Sequence, residues 1–308
     1  MEIIGAFFRL IRWPNLVFIA LTQCLFFFCV FDSVIAGSVF SFFSLTWFLL
    51  LMTASVFIAA AGYIINDYFD MHIDIINKPD KVVVDKIVKR RWAIVWHFVL
   101  SAMGVLISIL FSYKTGNWII ASVNILCVFL LWFYSTTFKK KLLVGNIIIS
   151  ALTAWVILVI YFANTSFTQT ATPGFDTRKF FKFTALYAGF AFIISLIREV
   201  IKDLEDKEGD ARYNCATMPI MWGVPSTKVF TGVWLVVSVS AISLILIYAW
   251  QLGWKISVIY CIVLIVFPLM LVLQKLNKAV TSNDYHKLSS LLKFIMLAGI
   301  LSMLFFKA

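Results

Sequence analysis

Nine apolar runs dominate this chain, and each is long enough to cross a lipid bilayer as an α-helix. About 20 apolar residues are needed to span the hydrocarbon core of a membrane. The runs lie at roughly 13–33, 42–65, 92–112, 117–137, 143–162, 180–201, 228–249, 255–274 and 288–306. Only 13% of the residues are charged and 62% are hydrophobic, far outside the range of soluble proteins. The sequence therefore predicts an all-α integral membrane protein, a single polytopic domain over residues 1–308 with nine transmembrane helices.

The carboxylates of the chain are concentrated in two short segments. Eleven of the fifteen acidic residues fall within 66–91 and 198–212. We name two groups in these segments the first acidic motif (Asn66, Asp67, Asp70 and Asp74) and the second acidic motif (Asp203, Asp206 and Asp210). Each aspartate of the second motif follows its counterpart in the first by 136 residues. Since a helix turns about 100° per residue, positions i, i+3 and i+7 share one face, and the spacing predicts the same acidic stripe on two helix ends.

Clustered carboxylates need cations, because two unit charges about 4 Å apart repel by roughly 4 kcal/mol at an effective dielectric constant of about 20. The ligands available in both motifs are oxygens, and no Cys or His lies at a spacing that suits softer metals. Such a set favours Mg²⁺ over Mn²⁺ or Ca²⁺, and Mg²⁺ usually completes its coordination with phosphate oxygens of a substrate. We therefore predict that the motif residues bind Mg²⁺ and that the substrate carries a phosphate or diphosphate.

The basic residues predict the orientation in the membrane. With the N-terminus in the cytoplasm, nineteen of the twenty-six Lys and Arg residues lie on the cytoplasmic side, six lie on the other side, and Lys293 lies within the last run. This bias follows the general enrichment of cytoplasmic loops in Lys and Arg. Both motifs then lie at cytoplasmic helix ends, and we expect the protein in the cell inner membrane. The net charge of +11 is thus a topology signal, and no basic block of the kind that binds nucleic acid occurs.

The two motifs lie four helices apart, which predicts two four-helix pseudo-repeats at about 13–137 and 143–274 and a ninth helix at about 288–306. The loops that follow the motifs, 75–91 and 211–227, are the longest on the cytoplasmic side. Pro79 should end the helix before it, and Pro219 and Pro225 interrupt the second loop. Loops of this size beside a charged site are candidates for lids that exclude water. The loop 163–179 on the other side is expected to be flexible and receives no function.

Further polar residues lie near the cytoplasmic side. Arg198 and Lys202 immediately precede the second motif; Arg suits bidentate phosphate binding and Lys acts as a point charge. Tyr134 and Lys139 close the fourth run, either as an interfacial tyrosine with a positive-inside lysine or as parts of the site. Asn15 in the first run is either a polar group between packed helices or a cavity residue.

With these residues in place, the chain resembles the UbiA superfamily of intramembrane prenyltransferases. The family motif NDxxDxxxD matches the first acidic motif, and DxxxD matches Asp206 and Asp210, with Asp203 before them. The similarity extends to four further segments: Asn77-Lys78-Pro79-Asp80, Tyr134-Ser135 with Lys139, Gly145-Asn146, and Thr217-Met218-Pro219 with Gly223. It covers the whole chain. The run from Arg198 to Asp210 is most similar to the digeranylgeranylglyceryl phosphate synthase branch of the family, which makes ether lipids.

The resemblance implies two four-helix groups and a ninth helix around a central cavity that opens to lipid. It implies two Mg²⁺ ions that bridge a prenyl diphosphate, geranylgeranyl diphosphate in this branch. On ionisation, Mg²⁺, Arg198, Lys202 and Lys139 would stabilise the departing diphosphate, while Tyr134 and Tyr68 would shield the allylic cation. The expected catalytic residues are Asp67, Asp70, Asp203, Asp206 and Tyr134; the expected substrate-binding residues are Asn15, Asn66, Tyr68, Lys139, Arg198 and Lys202; and the expected metal ligands are Asn66, Asp67, Asp70, Asp74, Asp203, Asp206 and Asp210.

Three functions fit these features to different degrees. A lipid acceptor, geranylgeranylglyceryl phosphate, would bring an anionic head to the basic rim of the site. An aromatic acceptor of quinone biosynthesis would bring a flat ring, which an aromatic-rich chain could also stack. A transporter for divalent cations or phosphorylated solutes would place its site near the bilayer midplane, whereas these carboxylates lie at helix ends. We therefore expect Mg²⁺-dependent prenyl transfer, with geranylgeranylglyceryl phosphate as the first choice of acceptor.

Overall fold

The computed structural model describes residues 2–34, 42–77, 82–171 and 176–306, and within these ranges the secondary structure is helical, with no strand. Two segments are π-helical, Phe26–Phe31 and Ile262–Val266. The α-helices of four or more residues are α1 (Glu2–Leu10), α2 (Trp13–Leu25), α3 (Phe42–Asn77), α4 (Arg90–Thr115), α5 (Trp118–Thr136), α6 (Val144–Ala171), α7 (Thr177–Glu205), α8 (Lys207–Arg212), α9 (Met218–Met221), α10 (Gly223–Gln251), α11 (Lys255–Cys261), α12 (Phe267–Lys278) and α13 (Ser282–Leu301).

In the described part of the chain, nine helical segments are long and apolar enough to cross a membrane, which confirms the predicted number. They are Trp13–Val34, Leu45–Asn77, Arg90–Thr115, Trp118–Thr136, Val144–Asn164, Thr177–Glu205, Gly223–Gln251, Lys255–Lys278 and Ser282–Phe306. The protein is an integral membrane protein. Two spans continue well past their apolar runs, to Asn77 and Glu205, because helical hydrogen bonds do not require apolar side chains where the chain leaves the hydrocarbon. The extension of α3 contains the first acidic motif, and the extension of α7 contains Asp203 of the second.

Helix α3 is the longest element, with 36 residues, and at 1.5 Å per residue it is about 54 Å long. It packs closely on its neighbours through glycines. A Cβ atom added to Gly62 would lie 2.8 Å from Leu131 Cδ2 of α5, and one added to Gly104 of α4 would lie 2.7 Å from Ile58 Cγ1 of α3. Small residues of this kind let membrane helices approach one another.

The chain divides into two compact units. Unit 1 comprises Met1–Lys139 with Trp155–Thr184, and unit 2 comprises Lys140–Ala154 with Ala185–Ala308. One boundary between the units lies near residue 140, and residues 155–184 belong to unit 1. The first acidic motif lies in unit 1 and the second in unit 2, and the pseudo-repeat remains a prediction.

Each unit has an apolar core that reaches the level of its acidic motif. In unit 1, Ile64 and Met71 of α3 are buried with Val84 of the following loop. In unit 2, Ile201 and Leu204 of α7 are buried in the same core as residues of α12 and α13. Apolar contacts therefore fix the helix turns from which the motif side chains project.

The loops predicted as lids differ from expectation in their local structure. In 75–91, Lys78 to Lys81, including the helix end predicted at Pro79, lie outside the described residues, and Val83, Val84 and Val88 are buried. In 211–227, helices α8, α9 and α10 leave only 213–217 and Trp222 non-helical. The lid function remains a prediction.

The segment 163–179 on the other side, which was not predicted as a lid, is also largely helical. Helix α6 extends to Ala171 and α7 begins at Thr177. Asn164 donates to the carbonyl of Ile160 (2.7 Å), so its polar side chain is accommodated within α6.

Candidate active site

The first acidic motif lies on uninterrupted helix. Helix α3 continues through the whole motif to Asn77, so Asp67, Asp70 and Asp74 share one helix face, as the spacing predicts. Asp70 is the most deeply placed of the three, with 3% of its surface exposed. A carboxylate buried to this degree needs a charged or hydrogen-bonding partner.

Arg12 is the partner of Asp67. Its Nη2 donates to Asp67 Oδ1 at 2.6 Å, and its guanidinium also lies 5.4 Å from the ring centroid of Tyr63. Arg12 connects α1 to α2 in a left-handed conformation (φ 51°, ψ 53°), which is uncommon for a residue with a side chain. Burial alone would lower the pKa of Arg12, but the carboxylate of Asp67 outweighs that effect and raises the pKa. The guanidinium is therefore a permanent counter-ion of the motif.

Asp70 binds two donors. Asn66 Nδ2 donates to Asp70 Oδ2 at 2.6 Å, and Lys139 Nζ forms an ion pair with the same oxygen. Burial by itself would lower the pKa of Lys139, but the charge of Asp70 overrides it and raises the pKa well above its ordinary value, with a smaller contribution from Tyr134. Lys139 follows α5 in a 3-10 turn, Phe138–Lys140. The ion pair places Lys139 beside the first acidic motif, and its role in a site remains a prediction.

The aromatic and amide residues expected around this motif are brought near it to different degrees. Tyr68 packs in the core of unit 1, and the guanidinium of Arg90 lies 5.0 Å from its ring centroid, so one ring face already has a cation. Tyr134 is half-buried and contributes to the raised pKa of Lys139. Asn15 lies one turn after Arg12, and its backbone N–H donates to the carbonyl of Arg12 (2.8 Å). The roles assigned to these three residues remain predictions.

The second acidic motif is not on one continuous helix, so the prediction of a second uninterrupted stripe is wrong. Helix α7 ends at Glu205, Asp206 has φ −94° and ψ 5°, and α8 begins at Lys207. The interruption is local, because the N–H of Asp206 donates to Lys202 O (2.8 Å) and that of Asp210 to Asp206 O (3.1 Å). The 203–210 run contains three aspartates and a glycine, residues of low helix propensity, where the helix leaves its apolar core.

Partners of the second motif come from α6 and α7. Asn146 Nδ2 donates to Asp203 Oδ2 at 2.8 Å. Lys202 Nζ donates to Glu199 Oε1 at 2.6 Å, and Arg198 Nη1 lies 3.4 Å from the same oxygen. The two basic residues expected to bind diphosphate are therefore held by the carboxylate of Glu199, which follows Arg198 directly and precedes Lys202 by one turn. Arg198 Nε is buried without a hydrogen-bond acceptor, which leaves one guanidinium N–H able to bind an anion.

The donor chemistry of the motifs suits Mg²⁺. No three acidic, His or Cys side chains among the described residues lie close enough together to form a metal cluster on their own. Mg²⁺ does not need such a cluster, since it usually takes one or two carboxylates and completes its shell with water and phosphate. In unit 1 the carboxylate of Asp70 lies beside the carboxamide of Asn66, whose Oδ1 is buried without a hydrogen-bond partner. These two side chains can supply hard oxygen ligands.

Three residues of the site were not assigned by the sequence: Arg12, Asn146 and Glu199. Each is a polar residue in or beside an apolar run, and that is the signal that could have marked it. The partners of Arg12 and Asn146 lie 55 and 57 residues away along the chain. Those pairings depend on tertiary packing, which spacing alone cannot indicate.

Comparison with known proteins decides the family. The sequence profile of the UbiA prenyltransferase family matches residues 17–297. The chain belongs to the UbiA prenyltransferase family. This UbiA family member is accordingly a membrane-bound prenyltransferase, which confirms the family and the enzyme class expected from its motifs.

Several relatives of this UbiA family member share one name. A digeranylgeranylglyceryl phosphate synthase of Methanosphaera stadtmanae is 28% identical over 82% of this chain and 86% of the relative. One of Methanoregula boonei is 30% identical over 71% of each chain. Among solved structures, one described as digeranylgeranylglyceryl phosphate synthase in membranes has a TM-score of 0.60 at 24% identity over 99% of each chain. A UbiA homolog of Archaeoglobus fulgidus bound to DMAPP and Mg²⁺ has a TM-score of 0.57 at 13% identity over 96% of this chain and 98% of the other. The two structures have the same fold as this chain.

Proposed function

We propose that this UbiA prenyltransferase transfers a geranylgeranyl group from geranylgeranyl diphosphate to geranylgeranylglyceryl phosphate, with Mg²⁺ bound at the acidic motifs. The observation that carries the site is the buried carboxylate of Asp70, which is bound by two donors, Lys139 and Asn66. The acceptor is supported by the shared name of the relatives, which match most of this chain. The solved homolog with DMAPP and Mg²⁺ supports the metal and the diphosphate donor.

In this proposal the protein acts by holding charges in place. Mg²⁺, when bound by the oxygen ligands of the motifs, would neutralise negative charge on the diphosphate. Lys139 and Arg12 form ion pairs with two of the first-motif carboxylates and fix their direction. Arg198, with one unpaired N–H, binds a diphosphate oxygen, and Lys202 adds a second positive charge one turn along α7. Preorganised cations of this kind stabilise the leaving group as its charge develops.

The bond changes are those of an alkyl transfer to oxygen. The allylic carbon–oxygen bond of the donor breaks, and its electron pair leaves with the diphosphate. The hydroxyl oxygen of the acceptor forms the new carbon–oxygen bond, and the released diphosphate takes the hydroxyl proton. Tyr134, half-buried beside Lys139, is the aromatic residue that we assign to the allylic cation. In this proposal the protein lies in the inner membrane and its active site opens to the cytoplasm.

The proposal is tested by product analysis. The purified protein is given geranylgeranyl diphosphate and Mg²⁺ with a panel of acceptors: geranylgeranylglyceryl phosphate, a dihydroxynaphthoate and a hydroxybenzoate. Mass spectrometry should detect a doubly prenylated glyceryl phosphate and no prenylated aromatic acid. If only an aromatic acid is prenylated, the acceptor is wrong while the family remains.

Matched carboxamide variants test the motifs themselves. Asp70→Asn and Asp203→Asn keep the size of the side chain and remove the charge, so each should lose most of the turnover while the protein still folds and inserts. Asp176→Asn, at an exposed aspartate whose side chain caps the start of α7, is the control and should be as active as the wild type. Wild-type turnover in both motif variants would refute the site.

A further inference from the structure

The turn before the ninth span is held by several hydrogen bonds in unit 2. Lys228 Nζ of α10 donates to the carbonyl of Ala279 at 2.6 Å, and the hydroxyl of Tyr285 donates to the same carbonyl at 3.1 Å. At the start of α13, Thr281 Oγ1 accepts from the N–H of Asp284 (3.2 Å), and Asp284 Oδ2 accepts from the N–H of Thr281 (3.0 Å), forming a capping box. Such reciprocal caps fix the first turn of a helix. The first residues of α13 therefore have a defined position.

The first residues of α13 contact the end of α7 at Glu205. Ser282 Oγ donates to the backbone carbonyl of Glu205 at 3.0 Å. His286, one turn along α13, places Nδ1 2.9 Å from Glu205 Oε1. The carboxylate of Glu205 is 7% exposed, whereas the imidazole is 51% exposed. Both the backbone and the side chain of Glu205 are thus bound by α13.

Glu205 is the last residue of α7 and lies between two members of the second acidic motif. The last four carbonyls of a helix have no partner within the helix and need other donors, and Ser282 supplies one at this end. The next residue, Asp206, has the φ and ψ values at which the helix is interrupted. The direction of Asp206 relative to Asp203 is therefore set by the turn that Ser282 and His286 hold.

We propose that Ser282 and His286 are positioning residues, through which the ninth span sets the geometry of the second acidic motif. They do not touch the substrate; they hold Glu205, and Glu205 fixes the turn between Asp203 and Asp206. This inference rests on the proposed function of the second motif. It also gives the ninth helix, which stands outside the two predicted four-helix groups, a part in the reaction.

The double variant Ser282→Ala/His286→Ala tests the inference in the full-length protein, with the single variants beside it. Hydrogen–deuterium exchange is measured on peptides covering residues 200–212 without substrate or metal. The backbone amides of Asp206 and Asp210 should exchange faster, because the turn that contains their hydrogen bonds is no longer held by α13. In kinetics, kcat/KM for geranylgeranyl diphosphate should fall by about tenfold or more, mainly through a higher KM, as is typical when the support of a metal-binding group is removed.

Two matched controls lie on the same helix. Ser290 and Lys287 of α13 are exposed, and Ser290→Ala/Lys287→Ala should match the wild type in both measurements. His286→Gln, whose amide can still donate to Glu205, should restore most of the loss seen in His286→Ala. If the double variant does not fold, Ser282→Ala, which removes one hydroxyl at an exposed position, decides the matter by the same two measurements.

Wild-type exchange and wild-type KM in the double variant would overturn the positioning role. Asp206→Asn separates this result from a failure of the proposed function. If Asp206→Asn is inactive while the Ser282 and His286 variants are normal, only the positioning role is wrong. If Asp206→Asn is fully active, the second motif itself is not part of the site.

Discussion

Replacing Lys139 by methionine tests how much the ion pair with Lys139 stabilises the buried carboxylate of Asp70. The change removes the ammonium and keeps an unbranched apolar stem of similar reach. Asp70, 3% exposed, would lose its ion pair and retain the single hydrogen bond from Asn66 Nδ2 (2.6 Å). Removing one partner of a buried ion pair costs about 3–5 kcal/mol. Because the Lys139 side chain is itself 28% exposed, solvent screening should reduce this cost to below that range, about 2–3 kcal/mol in the free energy of unfolding.

Turnover should fall further than stability alone explains. Losing one preorganised donor to a developing negative charge costs about 100- to 1000-fold in kcat. Thermal unfolding in detergent micelles and prenyl transfer at saturating substrate measure the two effects separately. Lys140→Met is the matched control, because Lys140 is the next residue in the chain and is exposed. If Lys139→Met and Lys140→Met have the same melting temperature and the same kcat, the reasoning about the buried pair is refuted.

Three other predictions concern the electrostatics, the metal and the topology. The folded-state pKa of Lys139 is raised above its ordinary value of 10.5, so the stabilisation that Lys139 contributes is fully present below pH 10.5 and is lost only as the pH rises through the higher folded-state pKa. The difference in the free energy of unfolding between wild type and Lys139→Met should therefore stay constant from about pH 6 to 9. A difference that vanishes within that range would contradict the assignment. Activity should disappear in EDTA and return with Mg²⁺ or Mn²⁺ but not with Zn²⁺, because the ligands are oxygens; full activity in EDTA after dialysis would exclude the metal site. In a cysteine-free background, Ser226→Cys should react with an impermeant thiol reagent from the cytoplasmic side and Gln251→Cys, at the other end of α10, from the opposite side; the reverse pattern would invert the orientation.

Much of the fold could be predicted from the sequence because membrane spans are a local property. Each apolar run has the length of one helix, so nine spans could be counted without tertiary information. The aspartates of the first motif could be placed on one face for the same reason, since spacing on a helix decides which residues share a face.

The pairings within the site could not be predicted in this way. Lys139 could be singled out, but its contact with Asp70 joins residues 69 apart in the chain. Arg12 reaches Asp67 from a left-handed turn, a backbone conformation that no pattern of apolar residues indicates. The interruption at Asp206 was also missed, because i, i+3, i+7 spacing is equally compatible with a continuous helix and with one that breaks and resumes within a turn.

The length of α3 has a consequence for how the enzyme meets its substrates. Of its roughly 54 Å, about 30 Å suffices for the hydrocarbon core, and the first acidic motif lies within the last twelve residues, Asn66–Asn77. The diphosphate can therefore be bound in the headgroup layer while the isoprenoid tail stays dissolved among the acyl chains. Neither of the two proposed lipid substrates then has to be extracted into water, so the quantity that governs the rate is the mole fraction of substrate in the bilayer. Adding inert phospholipid at a constant bulk amount of substrate should slow the enzyme by two-dimensional dilution.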